Sequence, residues 1–146
     1  MSGLVLRPAR VLDAGSVGAI LSEFIDGTAW MPRLHSRAED LSFAGLMIDR
    51  GWTVVAERGA RIEGFVARDG ALIQSLYVAA GARGRGCGSA LLERMKREAD
   101  YLNLWTFEAN TGAQRFYERH GFTEVERTSG AGNDEKLPDI RYEWRA

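Results

Sequence analysis

The spacing of hydrophobic and polar residues changes several times along the chain, and each change marks a different predicted element. Apolar residues at residues 4–6, followed by Pro8, predict a first strand. A helix is predicted next, with Asp13 as its N-cap candidate. Its apolar face, spaced i, i+3, i+4 and i+7, consists of Val17, Ile20, Leu21 and Phe24.

The next segment, residues 27–35, shows no period and is predicted to be a loop. Ser36 followed three residues later by Glu39 is a capping-box pattern, which predicts a second helix as far as about Asp49. Gly51 is suited to end it. The residues expected on one side of this helix are Leu41, Gly45 and Ile48.

Three strand-like runs fill the middle of the chain. They cover residues 52–56, 62–67 and 71–78, and are rich in β-branched and aromatic residues. Short turn sequences separate them, and Asp69-Gly70 is a strong signal for a tight turn. The middle of the chain is therefore predicted to be an antiparallel meander.

From Ser89 the apolar period becomes helical, which predicts a helix from the glycine-rich turn to about Tyr101. A short strand at residues 104–107 follows, then another helix closed by Gly121. The apolar stripe of the first of these helices is Leu91, Met95, Ala99 and Leu102, and the second carries Ala113, Phe116, Tyr117 and His120.

Two last strands, residues 122–128 and 140–144, flank a polar segment. The predicted element order is β-α-α-β-β-β-α-β-α-β-β. It indicates the α/β class, with a mixed, mostly antiparallel sheet and helices on both faces. The predicted strand before Gly86, the helix after it and the next strand should form a right-handed crossover.

Composition narrows the class of protein further. A chain of 146 residues suits one domain over residues 1–146. A net charge of −1 gives no basic field for nucleic acid. The absence of a bilayer-length apolar run and of a signal-like start predicts no membrane partner and a cytoplasmic location. One cysteine and two histidines are too few for a structural zinc site, so no metal is expected.

The turn from Arg83 to Gly88 has the composition of an anion site. It lies between a predicted strand and a predicted helix, whose N-terminus leaves unpaired N–H groups and partial positive charge. Gly84, Gly86 and Gly88 would let a phosphate approach those N–H groups closely. Arg83 and Arg85 add charge-assisted contacts. The turn therefore predicts a phosphate or pyrophosphate site.

Other interpretations of this turn are a purely structural helix cap, a nucleotide loop or an RNA-binding patch. A P-loop would require Gly-Lys followed by Ser or Thr, which is absent from the sequence. A Rossmann fingerprint fits poorly after a meander. An RNA patch would be interleaved with aromatic residues, and this turn contains none.

Two segments together resemble a known family. Leu76-Tyr77-Val78, then Arg83-x-x-Gly86-x-Gly88, is similar to the acetyl-CoA motif of the GCN5-related N-acetyltransferase (GNAT) family. A second stretch, from Asn110 through Ala113 and Phe116-Tyr117 to Gly121-Phe122, is similar to that family's Asn-x-x-Ala-x-x-Phe-Tyr-x-x-x-Gly-Phe pattern. The resemblance covers nearly the whole chain and is weakest at residues 27–50.

The resemblance implies that acetyl-CoA is the cosubstrate and that its pantetheine chain lies between two parallel strands. Asn110 matches a residue that hydrogen-bonds this arm, although Asn is also a favoured N-cap. The cofactor-binding residues implied are Leu76, Tyr77, Val78, Arg83, Gly84, Arg85, Gly86, Cys87, Gly88, Ser89, Asn110, Ala113 and Phe116.

The resemblance also implies a proton donor. Tyr117 matches the family tyrosine near the thioester sulfur, where its hydroxyl could protonate the departing thiolate. The alternative is a half-buried aromatic residue on an amphipathic helix. Cys87, with no histidine near it in sequence, is interpreted as a packing residue rather than a nucleophile.

The base that accepts the amine proton is not identified by the motifs. Many relatives carry a carboxylate on the strand before the turn, where this chain has Gln74. Glu57 and Glu63 lie on neighbouring predicted strands. Histidine titrates near neutral pH, which makes His35 the candidate catalytic base, with a water relay still open.

The acceptor is expected between residues 30–35 and residues 130–139. Asp134, Glu135 and Asp139 in the second segment could attract a cationic amine. The function implied is transfer of an acetyl group to a primary amine of a small molecule or peptide. A catalytically silent acyl-CoA sensor and a nucleotide-phosphate module remain as alternatives. Relatives are often dimers, so a homodimer is open, although no residue establishes it.

Overall fold

The computed structural model describes residues 3–146 and contains seven strands and four α-helices in that range. The strands are β1 (Leu4–Pro8), β2 (Thr53–Arg58), β3 (Arg61–Asp69), β4 (Leu72–Val78), β5 (Tyr101–Phe107), β6 (Thr123–Thr128) and β7 (Asp139–Arg145). The helices are α1 (Ala14–Asp26), α2 (Arg37–Asp49), α3 (Cys87–Glu98) and α4 (Thr111–Arg119). None of these helices is long and apolar enough to cross a membrane.

All seven strands form one sheet in the order β1-β2-β3-β4-β5-β7-β6. Every neighbouring pair is antiparallel except β4 and β5, which are parallel and are connected through α3. The predicted meander is therefore confirmed as β2, β3 and β4. A parallel pair needs a crossover, and α3 provides it.

Apolar cores lie on both faces of the sheet, as the α/β prediction requires. On one face α1 and α2 cover residues of β2 and β3, with the buried side chains Val17, Met47, Val55 and Phe65. On the other face α3 and α4 cover the sheet, with the buried side chains Leu91, Met95, Leu104 and Tyr142. Burial of each such apolar side chain contributes about 1.5–3 kcal/mol to stability.

The apolar face predicted for α2 was correct at Ile48 and wrong at Leu41. Leu41 is 47% exposed, whereas Ala44, Met47 and Ile48 are buried together with Asp40. Asp40 can occupy a buried position because Ser22 and Arg33 satisfy its carboxylate. The predicted cap was correct, since the Ser36 Oγ accepts from the backbone N–H of Glu39 at 3.1 Å.

Two other predictions about helix ends need correction. The side chain of Asp13 does not cap α1; it accepts hydrogen bonds from the Arg7 guanidinium at 2.8 Å and from the Arg10 backbone at 2.7 Å. The first of these bonds holds the pKa of Asp13 below its usual range. The helix after the glycine turn ends at Glu98, not near Tyr101, and Leu102 is a buried residue of β5.

A β-bulge in β4 separates that strand from β5. In the pairing of β3 with β4, Ala67 lies opposite Ser75 and Arg68 opposite Ile73, so Gln74 has no partner. A bulge bends its strand and increases the local twist. β4 and β5 pair only at Leu72 and Asn103, and beyond that point they diverge.

Candidate functional site

A groove lies between β4 and β5 where the two strands diverge. Its walls are residues 73–77 of β4 and residues 104–107 of β5, and Asn110 and Tyr117 of the α4 region line it as well. Backbone N–H and C=O groups along this edge of β4 have no β5 partner, because the strands pair only at Leu72. We call this feature the β4–β5 groove.

The glycine turn folds as the sequence predicts for an anion site. Gly84 and Gly86 have φ of +78° and +82°, a left-handed conformation that glycine adopts without strain. Gly86 is the N-cap of α3, and no side chain caps that helix. The first-turn N–H groups of α3 therefore remain for an external acceptor. We call the cavity at this turn, about 280 Å³ in volume, the glycine cradle.

Two arginines line the glycine cradle, and only one of them was predicted. Arg83 comes from the turn itself, and Arg119 comes from the last turn of α4. Arg119 lies inside the second motif, at a position that the motif pattern leaves open, so the pattern did not identify it. The predicted Arg85 instead donates to the Glu63 carboxylate at 3.0 Å, which anchors the turn to β3.

The carboxylates considered as bases lie elsewhere. Glu63 is 3% exposed and forms ion pairs with Arg58 at 2.6 Å and with Arg85. Glu57 forms an ion pair with Arg7 at 3.3 Å. Neither side chain lines the β4–β5 groove, so the structure does not favour them as bases. Gln74 does line the groove, at the bulge.

Cys87 is a packing residue in the structure. Its side chain is 2% exposed, and burial raises the pKa of its thiol to about 11. A Cβ placed on Gly64 would lie 2.8 Å from the Cys87 Sγ, so β3 needs glycine there for α3 to pack closely. A buried, protonated thiol of this kind is a poor nucleophile.

The second motif places its residues along the groove and the cradle. The Asn110 Oδ1 accepts from the Ala113 N–H at 3.1 Å, so Asn110 is the N-cap of α4. Its amide NH₂ makes no hydrogen bond within residues 3–146. Phe116 lines the cradle, where its ring would lie 3.5 Å from a Cβ added to Gly88.

His120, at the end of α4, holds Ser89 of the cradle. Its Nε2 lies 3.1 Å from the Ser89 Oγ, and its Nδ1 lies 3.2 Å from a Glu93 carboxylate oxygen. The ring also packs on Phe116, with centroids 4.7 Å apart. The sequence predicted His120 only as part of a helix face. This contact links the two motifs in space.

Tyr117 faces the β4–β5 groove. Its side chain is 8% exposed, and its hydroxyl makes no hydrogen bond within the described part of the chain. Burial, and to a smaller extent the charge of the neighbouring Tyr77, raises the pKa of Tyr117 above the ordinary tyrosine value. The phenol therefore stays protonated and can donate a proton into the groove.

A second cavity opens on the α1–α2 side, next to the groove. Four aromatic side chains line it, and we therefore call it the aromatic cavity: Phe24, Phe43, Tyr77 and Phe107. Its volume is about 510 Å³. Phe24 and Tyr77, whose ring centroids are 4.6 Å apart, line both the groove and the aromatic cavity. Sequence reasoning placed Tyr77 at the cofactor and missed this second role.

The rim of the aromatic cavity is acidic. His35, Asp134 and Glu135 line it, as the expected acceptor position requires. The His35 side chain is 55% exposed, and its Nδ1 lies 3.5 Å from Glu39. Burial, with a smaller effect of the Glu135 charge, raises the pKa of Tyr77 to about 12.

Asp139, also expected to attract an acceptor, has a structural role in the loop before β7. Its carboxylate accepts from the Thr128 hydroxyl and from the Asn133 amide at 3.2 Å. The same asparagine accepts from the Leu137 backbone at 3.2 Å. This bonding fixes the loop that carries Asp134 and Glu135.

Comparison with known proteins agrees with this architecture. The family model described as "Acetyltransferase (GNAT) domain" matches residues 49–124, just over half of the chain. An uncharacterized N-acetyltransferase of Methanocaldococcus jannaschii is 38% identical over 68 residues. That match covers 43% of this chain and spans only 30% of the relative's length.

Solved structures match over almost the whole chain. YjaB from Escherichia coli, in its apo form, has a TM-score of 0.80 at 22% identity and covers 97% of each chain. An acetyltransferase of the GNAT family from Bacillus cereus has a TM-score of 0.80 at 21% identity, covering 98% of this chain and 97% of its own. YncA from Salmonella typhimurium, solved with its cofactor acetyl-CoA, has a TM-score of 0.75 at 19% identity, covering 99% and 94%.

At such identities these structures establish the fold. The family match spans the glycine cradle, the β4–β5 groove and α4, which are the parts where both sequence motifs lie. The chain therefore belongs to the GNAT acetyltransferase family.

Proposed function

We propose that this GNAT domain transfers an acetyl group from acetyl-CoA directly to a primary amine of a small molecule or peptide. The observation that carries the proposal is that the β4–β5 groove and the aromatic cavity meet at Phe24 and Tyr77. A donor in the groove and an acceptor in the cavity would thus meet at one point. Strands from residue 4 to residue 145 share one sheet, which supports a single domain over residues 1–146.

The residues present fit acetyl-CoA. The cradle offers uncapped N–H groups of α3 and the side chains of Arg83 and Arg119 for phosphate oxygens. A channel of about 550 Å³ runs from Arg83 along Leu76 and Val78 to Asn110. We assign the unpaired edge of β4 and the Asn110 amide to the pantetheine arm, whose amide groups need such partners.

Bound acetyl-CoA supplies the acetyl group as a thioester. Tyr117 protonates the departing sulfur in our assignment, because its hydroxyl is protonated, unpartnered and lines the groove. The amine forms the new C–N bond as the C–S bond breaks. His35 is the proposed acceptor of the amine proton, because its ring lines the aromatic cavity. No covalent enzyme adduct and no metal is needed.

The acceptor cavity favours an enzyme over a silent acyl-CoA sensor. A sensor needs the cradle and the groove, but it has no use for a cavity of about 510 Å³ that opens onto the groove at Tyr77. The cytoplasmic location expected from the sequence stays a prediction.

Two measurements test the proposal. Calorimetry with acetyl-CoA, CoA and ATP should show binding of both CoA species and none of ATP; tight ATP binding without CoA binding would sink the donor assignment. A thiol-release assay over amines, alcohols and peptides should show turnover with at least one amine. Acetyl-CoA binding without turnover of any acceptor would favour the sensor.

A further inference from the structure

We propose that the aromatic cavity selects a small cationic amine with an apolar body and no carboxylate, of the arylalkylamine kind. This inference rests on the proposed function and narrows its acceptor class. It disfavours free amino acids, which carry a carboxylate, and polyamines, which lack an apolar body.

Apolar side chains from three neighbouring segments line the cavity. α1 contributes Leu21 and Phe24, the following loop contributes Met31 and Leu34, and α2 contributes Phe43. Leu34 and Phe43 are 47% and 39% exposed, so this apolar surface faces solvent rather than the core. An acceptor with an aromatic or branched alkyl body would cover it.

The charge around the cavity is negative. Asp134 and Glu135 line it and form no ion pair within residues 3–146. Glu39 lines it too, and a backbone hydrogen bond from Ser36 lowers the pKa of that carboxyl. No described lysine or arginine is among the lining residues. An ammonium group is therefore attracted, and a carboxylate meets only repulsion.

Arg33 lies beside the cavity, since it binds the lining residue Asp40, and most of its donors are used within the fold. Arg33 donates to Asp26 at 2.7 Å, to Asp40 at 3.0 Å and to the backbone oxygens of Ser22 and His35 at 3.3 and 2.8 Å. Four of the five N–H donors of this guanidinium are thereby used within the fold. An amino-acid substrate would need such a group to bind its carboxylate, and the structure commits it to the protein.

Matched acceptor pairs that differ by one carboxylate test the inference. Phenethylamine is compared with phenylalanine, and tryptamine with tryptophan, by CoA thiol release. We expect kcat/KM to be at least about 30-fold higher for each decarboxylated member. Phenylalaninamide should recover most of the loss, and spermidine should be a poor acceptor. Equal rates within a pair, or spermidine as the best acceptor, would overturn the inference.

Variants with matched controls locate the selectivity. Asp134→Asn with Glu135→Gln should shrink the preference for phenethylamine over phenylalanine by about tenfold. Asp49→Asn with Asp69→Asn changes the net charge equally at exposed positions outside the cavity and should leave it intact. An equal effect of both double variants would show general charge steering and contradict a cavity role.

A second pair tests the apolar wall. Phe43→Ala should raise the KM for phenethylamine about tenfold, whereas Leu46→Ala should not. Both residues lie on α2, and their exposures are 39% and 41%, but only Phe43 lines the cavity. Thermal melting of each variant shows whether the fold is retained. A KM that is insensitive to Phe43 would remove the apolar wall from the argument.

Binding measurements separate failure of this inference from failure of the proposed function. Calorimetry of phenethylamine and phenylalanine is carried out on the protein saturated with CoA. If no amine releases thiol, the transferase proposal fails, yet preferential binding of phenethylamine still supports the inference. If thiol is released but phenylalanine binds as tightly as phenethylamine, the inference fails and the transferase proposal stands.

Discussion

The glycine cradle and the aromatic cavity share no lining residue, and they are built in different ways. The cradle uses backbone N–H groups from one short segment, residues 83–89, with the side chain of Arg119 added from α4. The aromatic cavity uses side chains from α1, α2, β4, β5 and the loop before β7. The cradle forms mainly within one contiguous segment, whose sequence pattern predicts it. The cavity forms only when segments that are distant in sequence come together in the fold.

This difference explains why the acetyl donor is better defined than the acceptor. Backbone donors serve any chain whose turn has the right glycines, so a relative's cosubstrate is informative about the cradle. The cavity walls depend on which side chains meet, so relatives at about 20% identity reveal little about the acceptor. Substitutions in and near the two regions test this contrast, from the largest expected effect to the smallest.

The largest effect is expected in the β4–β5 groove, which Tyr117 lines. Tyr117→Phe should lower kcat about 100-fold, because it removes the proposed proton donor. The Kd for acetyl-CoA should change by less than about twofold, since the ring remains. Stopped-flow or steady-state thiol release with separate calorimetry measures both quantities.

Two comparisons sharpen that result. Tyr101→Phe, which removes a hydrogen bond to Glu143 at 3.0 Å far from the groove, is the control and should retain kcat. Tyr77→Phe tests the other phenol that lines the groove. If Tyr77→Phe abolished turnover while Tyr117→Phe did not, the donor assignment would move to Tyr77.

The pH profile gives an independent check on Tyr117. Burial raises its pKa, so the hydroxyl remains protonated through the ordinary tyrosine range near pH 10. The kcat of the wild-type protein should therefore not fall between neutral pH and about pH 10 through ionisation of Tyr117. Any decrease in that range should remain in the Tyr117→Phe variant. A decrease near neutral pH that Tyr117→Phe removes would contradict a buried, protonated phenol.

The next largest effect belongs to the cradle. Gly86→Ala places a side chain at φ +82°, which costs about 1–2 kcal/mol in the bound turn and should raise the Kd for acetyl-CoA about tenfold. Gly81→Ala is the control, because a Cβ there meets no atom within 4 Å and its φ is not in the left-handed range. The KM for the amine at saturating acetyl-CoA should be unchanged. If only the KM for the amine changed, the cradle would not be the separate donor site that we propose.

A smaller effect is expected from the cradle arginines. Arg83→Gln and Arg119→Gln should each raise the Kd for acetyl-CoA about fivefold at low salt, with less effect at high salt. Arg115→Gln, on the same helix as Arg119 but outside the cradle, is the matched control. If Arg115→Gln weakened binding as much, general charge rather than the cradle would be responsible.

The smallest effect concerns Cys87, which lies under the cradle. Its raised pKa of about 11 leaves only about one thiolate in a thousand at pH 8, and its burial blocks access as well. Iodoacetamide should therefore leave native Cys87 largely unmodified and label it fully in denaturant. Rapid labelling of the native protein would contradict the packing role.

The limits of sequence prediction are visible at particular residues. The order of the strands, the capping box of α2 and the position of the glycine turn were correct because each has a local cause. Leu102 was misplaced on a helix because its spacing fits both periods, and the pairing of β5 with β7 decided between them. Leu41 was assigned to a buried face, but the Asp40 carboxylate, held by Arg33 and Ser22, took the buried position.

The candidate site divides in the same way. Tyr117 and Asn110 followed from a contiguous motif and line the groove as expected. Arg119, His120 and the junction role of Tyr77 were missed, because each depends on a neighbour distant in sequence. The bulge at Gln74 is invisible in the hydrophobic pattern, since it is a property of the pairing with β3.

The sequence by itself determined the fold class and the family, and it predicted an anion site, because periodicity, turn chemistry and backbone N–H groups act over a few residues. Only the tertiary structure decided which charges are available. It bound Arg33 and Asp139 to internal partners and left Asp134 and Glu135 on the rim of an apolar cavity. A charge satisfied within the fold has little left for a ligand, and the partners that satisfy it are brought together only by folding.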